Sequence, residues 1–556
     1  METCHISNLP DELLVRIVQY IPDKGTCSSQ TPYLPPVADY RSVALVCRRL
    51  NRVANAVLYA QYIHDFDHRS SAPFIRTLFE QPNVAQIVRG VEEITIRDRK
   101  RRSIHRPAAS LNSLVSVIHH LDMINKDDIL SIFRQRKDPL YDLEAALIIA
   151  LTPNIQALAL NFESEFRFPP DGLRDPGDMS LPSPALQLVL FAARGVPCGQ
   201  VHRFEHLRKL KLNMSNISVN SISSVLRLKS LVDLTLTLTN YKIPWSDNIP
   251  WGCPPKESSV KTIRLEAFSV DVPSIVNLIA SCRSLEGFAL CASRTRLERT
   301  NPFPNYALLL RELQQRHPEL QNLFIDDGRR MDDGSDEDSS MDESDEDSHM
   351  DQTDRAARAR LGSLEKFRDL KYLHAPLELL IGLDNGYTTP LSSLLPSKLE
   401  TLILTKGEMT NSQNKEFGRK FCDYHVQSVL TALQTQALPL KAVGILYKTD
   451  FRYPDAYTGY AITPKDLARM EDVHFNFYEF TRAFQQCGIH FDYEIRVDHE
   501  LAYDRLISVR RIHGDAVADE YSGHLTSTCR RLPHYKIQGF EVPRFLDSEA
   551  NWYEHF

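Results

Sequence analysis

The strongest constraint on this chain is a recurrence: an apolar residue followed three and five positions later by two more. It occurs as Val91-x-x-Ile94-x-Ile96, Ile155-x-x-Leu158-x-Leu160, Leu207-x-x-Leu210-x-Leu212, Leu231-x-x-Leu234-x-Leu236, Val260-x-x-Ile263-x-Leu265 and Leu285-x-x-Phe288-x-Leu290. It continues as Leu320-x-x-Leu323-x-Ile325, Leu370-x-x-Leu373, Leu399-x-x-Leu402-x-Leu404 and Leu440-x-x-Val443-x-Ile445. One copy carries little information; the repetition carries a great deal. The starts at 207, 231, 260 and 285 lie 24, 29 and 25 residues apart, room for one strand and one helix per unit. Helical spacing fills the intervals, as in Ser221 to Leu228 and in Val272 to Cys282, where Pro273 suits a first turn. Such a unit cannot bury its apolar edge alone, so the copies are expected to stack and share one continuous core.

The first sixty residues have a different pattern. Pro10, Asp11 and Glu12 open a helix, because proline forfeits no hydrogen bond in a first turn and acidic groups meet the positive end of the helix dipole. Leu13, Leu14, Ile17, Val18 and Ile21 then form a broad apolar stripe. Asp39 is placed to cap a second helix carrying Val43, Val46, Cys47 and Leu50, and Val53, Val57 and Leu58 mark a third. Three short helices enclose too little core for independent stability, which leaves apolar surface for another protein. The plainer alternative is an amphipathic cap on the segments that follow.

Leu9-Pro10-x-Glu12-Leu13-Leu14-x-x-Ile17 together with Ala44-Leu45-Val46-Cys47-Arg48-Arg49-Leu50-Asn51 resembles an F-box, particularly the fungal kind. The resemblance covers roughly residues 7 to 60. It implies binding to a Skp-type adaptor and, through it, a cullin-RING ubiquitin ligase. Carried over by position, Leu9, Pro10, Leu13, Leu14, Ile17, Val46, Cys47 and Leu50 face the adaptor or support the helices that do. The sequence departs from the family at Pro22 to Ala38, a longer first inter-helix loop with prolines at 32, 35 and 36. The recurring unit in turn resembles a leucine-rich repeat in degenerate form. The asparagine expected after the last leucine is replaced by Ser215, Thr239 and Ser293. The wider gaps at 155 to 207, 320 to 370 and 399 to 440 imply insertions or unrecognised units. An ordinary α/β arrangement of strands and helices is the competing interpretation.

At 556 residues the chain exceeds one compact core, and a hydrophobic content of 42% is that of a globular protein. No basic and apolar leader opens it, and runs such as Ala145 to Leu151 are too short to span a bilayer, so an intracellular protein, cytoplasmic or nuclear, is expected. Ten scattered cysteines without a C-x-x-C pair read as reduced thiols. Asp326 to Asp354 holds fourteen acidic residues and two arginines, a local balance of −12 against a total of −7, which leaves the rest at +5. A disordered acidic loop over 326–360 is expected. Within it Ser335, Ser339, Ser340 and Ser344 each precede an acidic residue by three positions, a pattern for an acidophilic kinase or merely a solubilising insert. The basic run Arg97 to Arg106 reads as a solvated loop or an import signal.

No phosphate-binding glycine loop, nucleophile elbow or H-E-x-x-H motif occurs. His119-His120 has no acidic or thiol ligand at a useful offset, and no basic stripe with interleaved aromatics marks a nucleic-acid interface. No catalytic residue, metal, cofactor, membrane or nucleic acid is therefore assigned. Cys282 and Cys291 read as packing residues. If the units stack, the strand positions that alternate away from the core form an inner, concave surface, mixed and mostly uncharged, that suits a protein target: Lys209 and Lys211, Asp233 and Thr235, Arg264, and Phe324.

The expected architecture is α/β. Residues 1–60 form an F-box-like three-helix segment, 61–445 an irregular leucine-rich-repeat-like solenoid interrupted by the acidic loop, and 446–556 a C-terminal repeat or capping region. The expected function is substrate recognition for a Skp-adaptor cullin-RING ligase, with an unknown protein target on the solenoid. A non-degradative interaction scaffold is the alternative. An enzyme hidden in the last 110 residues is disfavoured.

Overall fold

A computed structural model describes residues 9–20, 37–65, 71–94, 117, 119, 141–161, 184–195, 203–214, 218–238, 250–267, 271–292, 305–327, 361–381, 390–407, 424–435, 438–449, 480 and 482–497. The chain divides into two compact units, one taking in residues through Val260 and the other starting at Lys261. The basic run at 97–106, the positions of Ser215, Thr239 and Ser293, and residues 328–360 and 498–556 lie outside the described residues.

The first unit opens with α1 (Asp11–Tyr20), α2 (Val37–Ala44) and α3 (Arg48–Leu58). Five described strands follow: β1 (Gln61–Asp65), β2 (Gly90–Ile94), β3 (Ala157–Asn161), β4 (Lys209–Asn213) and β5 (Asp233–Leu238). They pair parallel and in chain order. Between them run α4 (Ala72–Glu80), α5 (Tyr141–Leu151) and α6 (Pro184–Ala193), each packed against the next. Parallel strands require such crossovers, since a hairpin cannot return the chain to the same end of the sheet. Glu144 of α5, fully buried, accepts from the Ser71 backbone N–H at 3.2 Å, so the start of α4 is tied to α5.

In the second unit the described strands are β6 (Thr262–Ala267), β7 (Gly287–Ala292), β8 (Asn322–Asp327), β9 (Tyr372–Pro376), β10 (Thr401–Gly407), β11 (Ala442–Thr449) and β12 (His490–Val497). Again every pair is parallel and sequential. α7 (Val272–Ser281) joins β6 to β7 and packs on α8 (Tyr306–Arg316), which joins β7 to β8. Asp271 caps α7 by accepting from Ser274 N–H at 3.0 Å, and Pro273 occupies its first turn.

The recurring apolar triplets are the core. Leu207, Leu210 and Leu212, Leu231, Leu234 and Leu236, and their counterparts through Leu440, Val443 and Ile445 are all buried. The residue before many of the strands repeats one backbone contact to the residue before the preceding strand: Arg208 N–H to Gln156 O at 2.8 Å, Gln321 to Glu286 at 3.0 Å, Lys371 to Gln321, Glu400 to Lys371 and Lys441 to Glu400, each 2.8 Å. This rung fixes register, because a one-residue slip would turn every apolar side chain to the other face.

Several expectations require correction. Of the two readings of the wide gaps, the ladder favours insertions over unrecognised units: β3 pairs β4 directly, Ala157 opposite Lys209, β8 pairs β9, and β10 pairs β11. Residues 61–65 form β1, a strand too short for its pattern to stand out in the sequence. Asp326 and Asp327 belong to β8 rather than to the acidic loop, because the ladder continues through them opposite Cys291 and Ala292. β11 runs on to Thr449, past the expected boundary at 445, and β12 pairs parallel to it. The break after α2 falls at Leu45 and Val46, so Leu50 shares α3 with Val53 and Val57.

Candidate functional site

The three N-terminal helices close on a small core of Leu14, Val18, Tyr40 and Val53, with Leu9, Val15, Val43, Leu50, Val57 and Leu58 packed around it. Asp11 holds the start of α1 to α3. Its carboxylate accepts from Arg49 Nε at 2.7 Å and also pairs with the Arg52 guanidinium. Arg49 donates in addition to the Leu9 carbonyl. These contacts keep the Asp11 carboxyl below the usual carboxylate range, with the Arg49 hydrogen bond the largest cause, followed by an opposing desolvation and then Arg52.

That small core consumes only part of the apolar stripe. Leu13 and Ile17, one turn apart on α1, remain 45% and 40% exposed. The tight turn after α2 throws two further side chains outward: Leu45 is 86% and Val46 69% exposed. The backbone there is satisfied, Leu45 N–H on Arg41 O at 3.1 Å and Val46 N–H on Val43 O at 3.2 Å. Cys47 is exposed and caps α3, its sulfur accepting from Leu50 N–H at 3.4 Å. The ties from Arg49 to Leu9 and Asp11 bring the start of α3, with the 45–47 turn just ahead of it, to the start of α1, so both exposed pairs belong to one helical body.

Of the eight residues expected to serve an adaptor, Pro10, Leu13, Ile17, Val46 and Cys47 are exposed, Leu9 and Leu50 are half-buried, and Leu14 is a core residue at 1% exposure. Leu45 was missed. Continuing one helix from Asp39 through Leu50 puts position 45 off the apolar stripe; the turn at 45–46 removes that constraint.

The sheet face opposite the core differs between the units. In the first it alternates as expected: Lys209 and Lys211 on β4 and Asp233 and Thr235 on β5 are half-buried between buried leucines. In register, Glu92 on β2 faces Ala159, Ala159 faces Lys211, and Lys211 faces Thr235. Burial pushes the Glu92 carboxyl above its ordinary range, and the Lys211 charge opposes that only in part. In the second unit the alternation is lost. Phe324 is fully buried and Arg264 is 5% exposed, so neither is the open target-facing residue that strand alternation predicts. Phe324 packs on the His374 ring at 4.2 Å, and Arg264 Nη2 pairs with Glu266 at 2.7 Å. His374 in turn engages the Thr405 hydroxyl at 2.7 Å. A side chain with partners on its own sheet folds down on it, which alternation alone cannot register.

Among the described residues no group of three or more His, Cys, Asp or Glu side chains is placed to hold a metal ion, and His119 is exposed. No described helix is long and apolar enough to cross a membrane. Cys47, Cys253, Cys282, Cys291 and Cys487 form no disulfide, with Cys282 buried and Cys291 half-buried.

Residues 6–63 match the F-box-like family model, a span that contains α1 to α3 and the exposed Leu13, Ile17, Leu45 and Val46. Comparison of the chain with curated proteins gives no match.

Proposed function

We propose that this protein is the substrate-recognition subunit of a Skp-adaptor cullin-RING ubiquitin ligase, of the F-box kind most like the fungal examples. The observation that carries the proposal is the exposure of Leu13, Ile17, Leu45 and Val46 on an F-box-like segment whose small core is made by Leu14, Val18, Tyr40 and Val53. Large apolar side chains held in water cost free energy that a partner surface recovers, at about 25 cal/mol per Å² removed from solvent. The parallel units that follow are assigned as degenerate leucine-rich repeats in a solenoid. Their polar sheet face in the first unit, around Lys209, Lys211, Asp233 and Thr235, is assigned to the protein target.

In this role the chain performs no bond chemistry. It holds a target lysine near a ubiquitin thioester carried elsewhere in the assembly, so that its contribution is effective concentration. Co-purification of the full chain with a Skp-type adaptor tests the docking half. Capture is expected from the native chain and is expected to be lost for Leu13→Asp with Ile17→Asp. Undiminished capture by that variant, with its helices intact by circular dichroism, overturns the assignment.

A further inference from the structure

The first unit's polar sheet face contains a carboxylate and an ammonium separated by a small-residue floor. Glu92, Ala159, Lys211 and Thr235 stand in one hydrogen-bonded row across β2 to β5. The row behind it runs Gly90, Ala157, Lys209 and Asp233. In these two rows the strand between the Glu92 and Lys211 columns contributes only Ala157 and Ala159, no side chain longer than a methyl, with Gly90 beside them and Asn161 in the next row along. Two strand spacings of about 4.8 Å put the columns ~10 Å apart, and the Lys211 charge acts on Glu92 across the gap without forming an ion pair with it. Glu92 is half-buried, and no described residue gives its carboxylate a hydrogen bond or an ion pair. A carboxylate withdrawn from water without a partner is costly, and a cation brought to it recovers that cost.

We propose that this row is the subsite for an extended target segment carrying a lysine or arginine and, three positions away, an aspartate or glutamate. The basic side chain pairs with Glu92, the acidic one with Lys211 and the Thr235 hydroxyl, and the two residues between them lie over the alanine and glycine floor. The spacing follows from the chain that must cross the trough. In an extended polyproline-like segment, residues three apart project to the same side and are separated by about 9 Å, matching the ~10 Å between columns. A bulky side chain between the two charges meets the floor before the charges meet their partners, so small intervening residues are favoured. The trough also has a direction, acidic column to basic column, and only one order of the two charges fits a given chain polarity. This inference rests on the proposed target-binding role of the same face and specifies what that face accepts.

The test is selection of a displayed library of random seven-residue peptides on the immobilised full chain. Enriched sequences are expected to hold a basic and an acidic residue three apart in a single order. Synthetic peptides made from them should bind about tenfold more weakly to Glu92→Gln and to Lys211→Met. The reciprocal variant, Glu92→Lys with Lys211→Glu, should prefer the same peptides with their charges exchanged. Thr235→Arg, which places a long side chain over the row, should block binding, while adaptor capture through Leu13 and Ile17 stays intact in every variant and reports folding. Peptides blocked by Thr235→Arg but indifferent to Glu92→Gln and Lys211→Met would overturn the charge-pair subsite and leave the target face standing. Peptides indifferent to all of these changes, or no enrichment over a bare support, would overturn the subsite together with the assignment of this face to the target.

Discussion

Replacing Leu45 and Val46 by alanine separates docking from folding. Leu45→Ala removes three carbons and Val46→Ala two, at about 0.8 kcal/mol for each carbon withdrawn from water. Weighted by exposures of 86% and 69% in the free chain, the apolar surface an adaptor can newly cover amounts to about 2 kcal/mol at Leu45 and about 1 kcal/mol at Val46. The pair together is then worth ~3 kcal/mol, or roughly a hundredfold in Kd. Because both side chains already face water, the folding stability of the free chain should change by less than about 0.5 kcal/mol. Leu14→Ala gives the opposite pattern: at 1% exposure in the helical core it should cost about 2–5 kcal/mol of local stability. Titration of purified Skp-type adaptor into each full-length variant, followed calorimetrically, reads the affinities, and thermal unfolding reads the folds. A change below about threefold for the Leu45/Val46 variant would refute the reasoning, since the exposed side chains would then be covered by nothing the adaptor supplies.

Asp11→Asn should loosen α1 from α3, and the native clamp should weaken in acid. Because the folded carboxyl lies below its ordinary range, its contribution is complete above the unfolded pKa and disappears as pH falls through the folded one. Helical ellipticity followed from neutral to acid pH should show a step in the native chain that Asp11→Asn lacks. In the second unit, Leu323→Ala, at a fully buried triplet position, should cost about 2–5 kcal/mol, whereas Thr235→Ala on the half-buried face of the first should stay within about 0.5 kcal/mol. Thr405→Val removes the hydroxyl that engages His374 and should cost about 1–3 kcal/mol, measured as a lower thermal midpoint.

The parallel order of strands was legible because one sequence signal repeats: Leu210, Leu234, Ile263, Phe288 and Leu323 occupy the same place in successive units, and each of them is buried. The face opposite was legible only where side chains lack neighbours to fold onto. Lys211 and Thr235 follow the alternation, but Arg264 has Glu266 two residues along its own strand, and Phe324 has His374 across the ladder. Such pairings depend on register between strands far apart in sequence. The helical segment shows the same limit at closer range. The stripe through Leu14 and Val18 identified its core, but the exposure of Leu45 depends on a two-residue turn that helical periodicity reads straight through. Glu92 was invisible as a candidate because its significance lies in Ala159 and Lys211, which are brought beside it only by the ladder.

The most direct measurement of the central claim compares protein abundance across the proteome in cells expressing the native chain, no chain, or the Leu13→Asp, Ile17→Asp variant at matched levels. The account predicts that a small set of proteins accumulates when the chain is absent and that the same set accumulates with the docking variant, because a receptor detached from its ligase cannot deliver its target. If the docking variant restores those proteins to native abundance, or if nothing accumulates in the absence of the chain, the receptor assignment is contradicted.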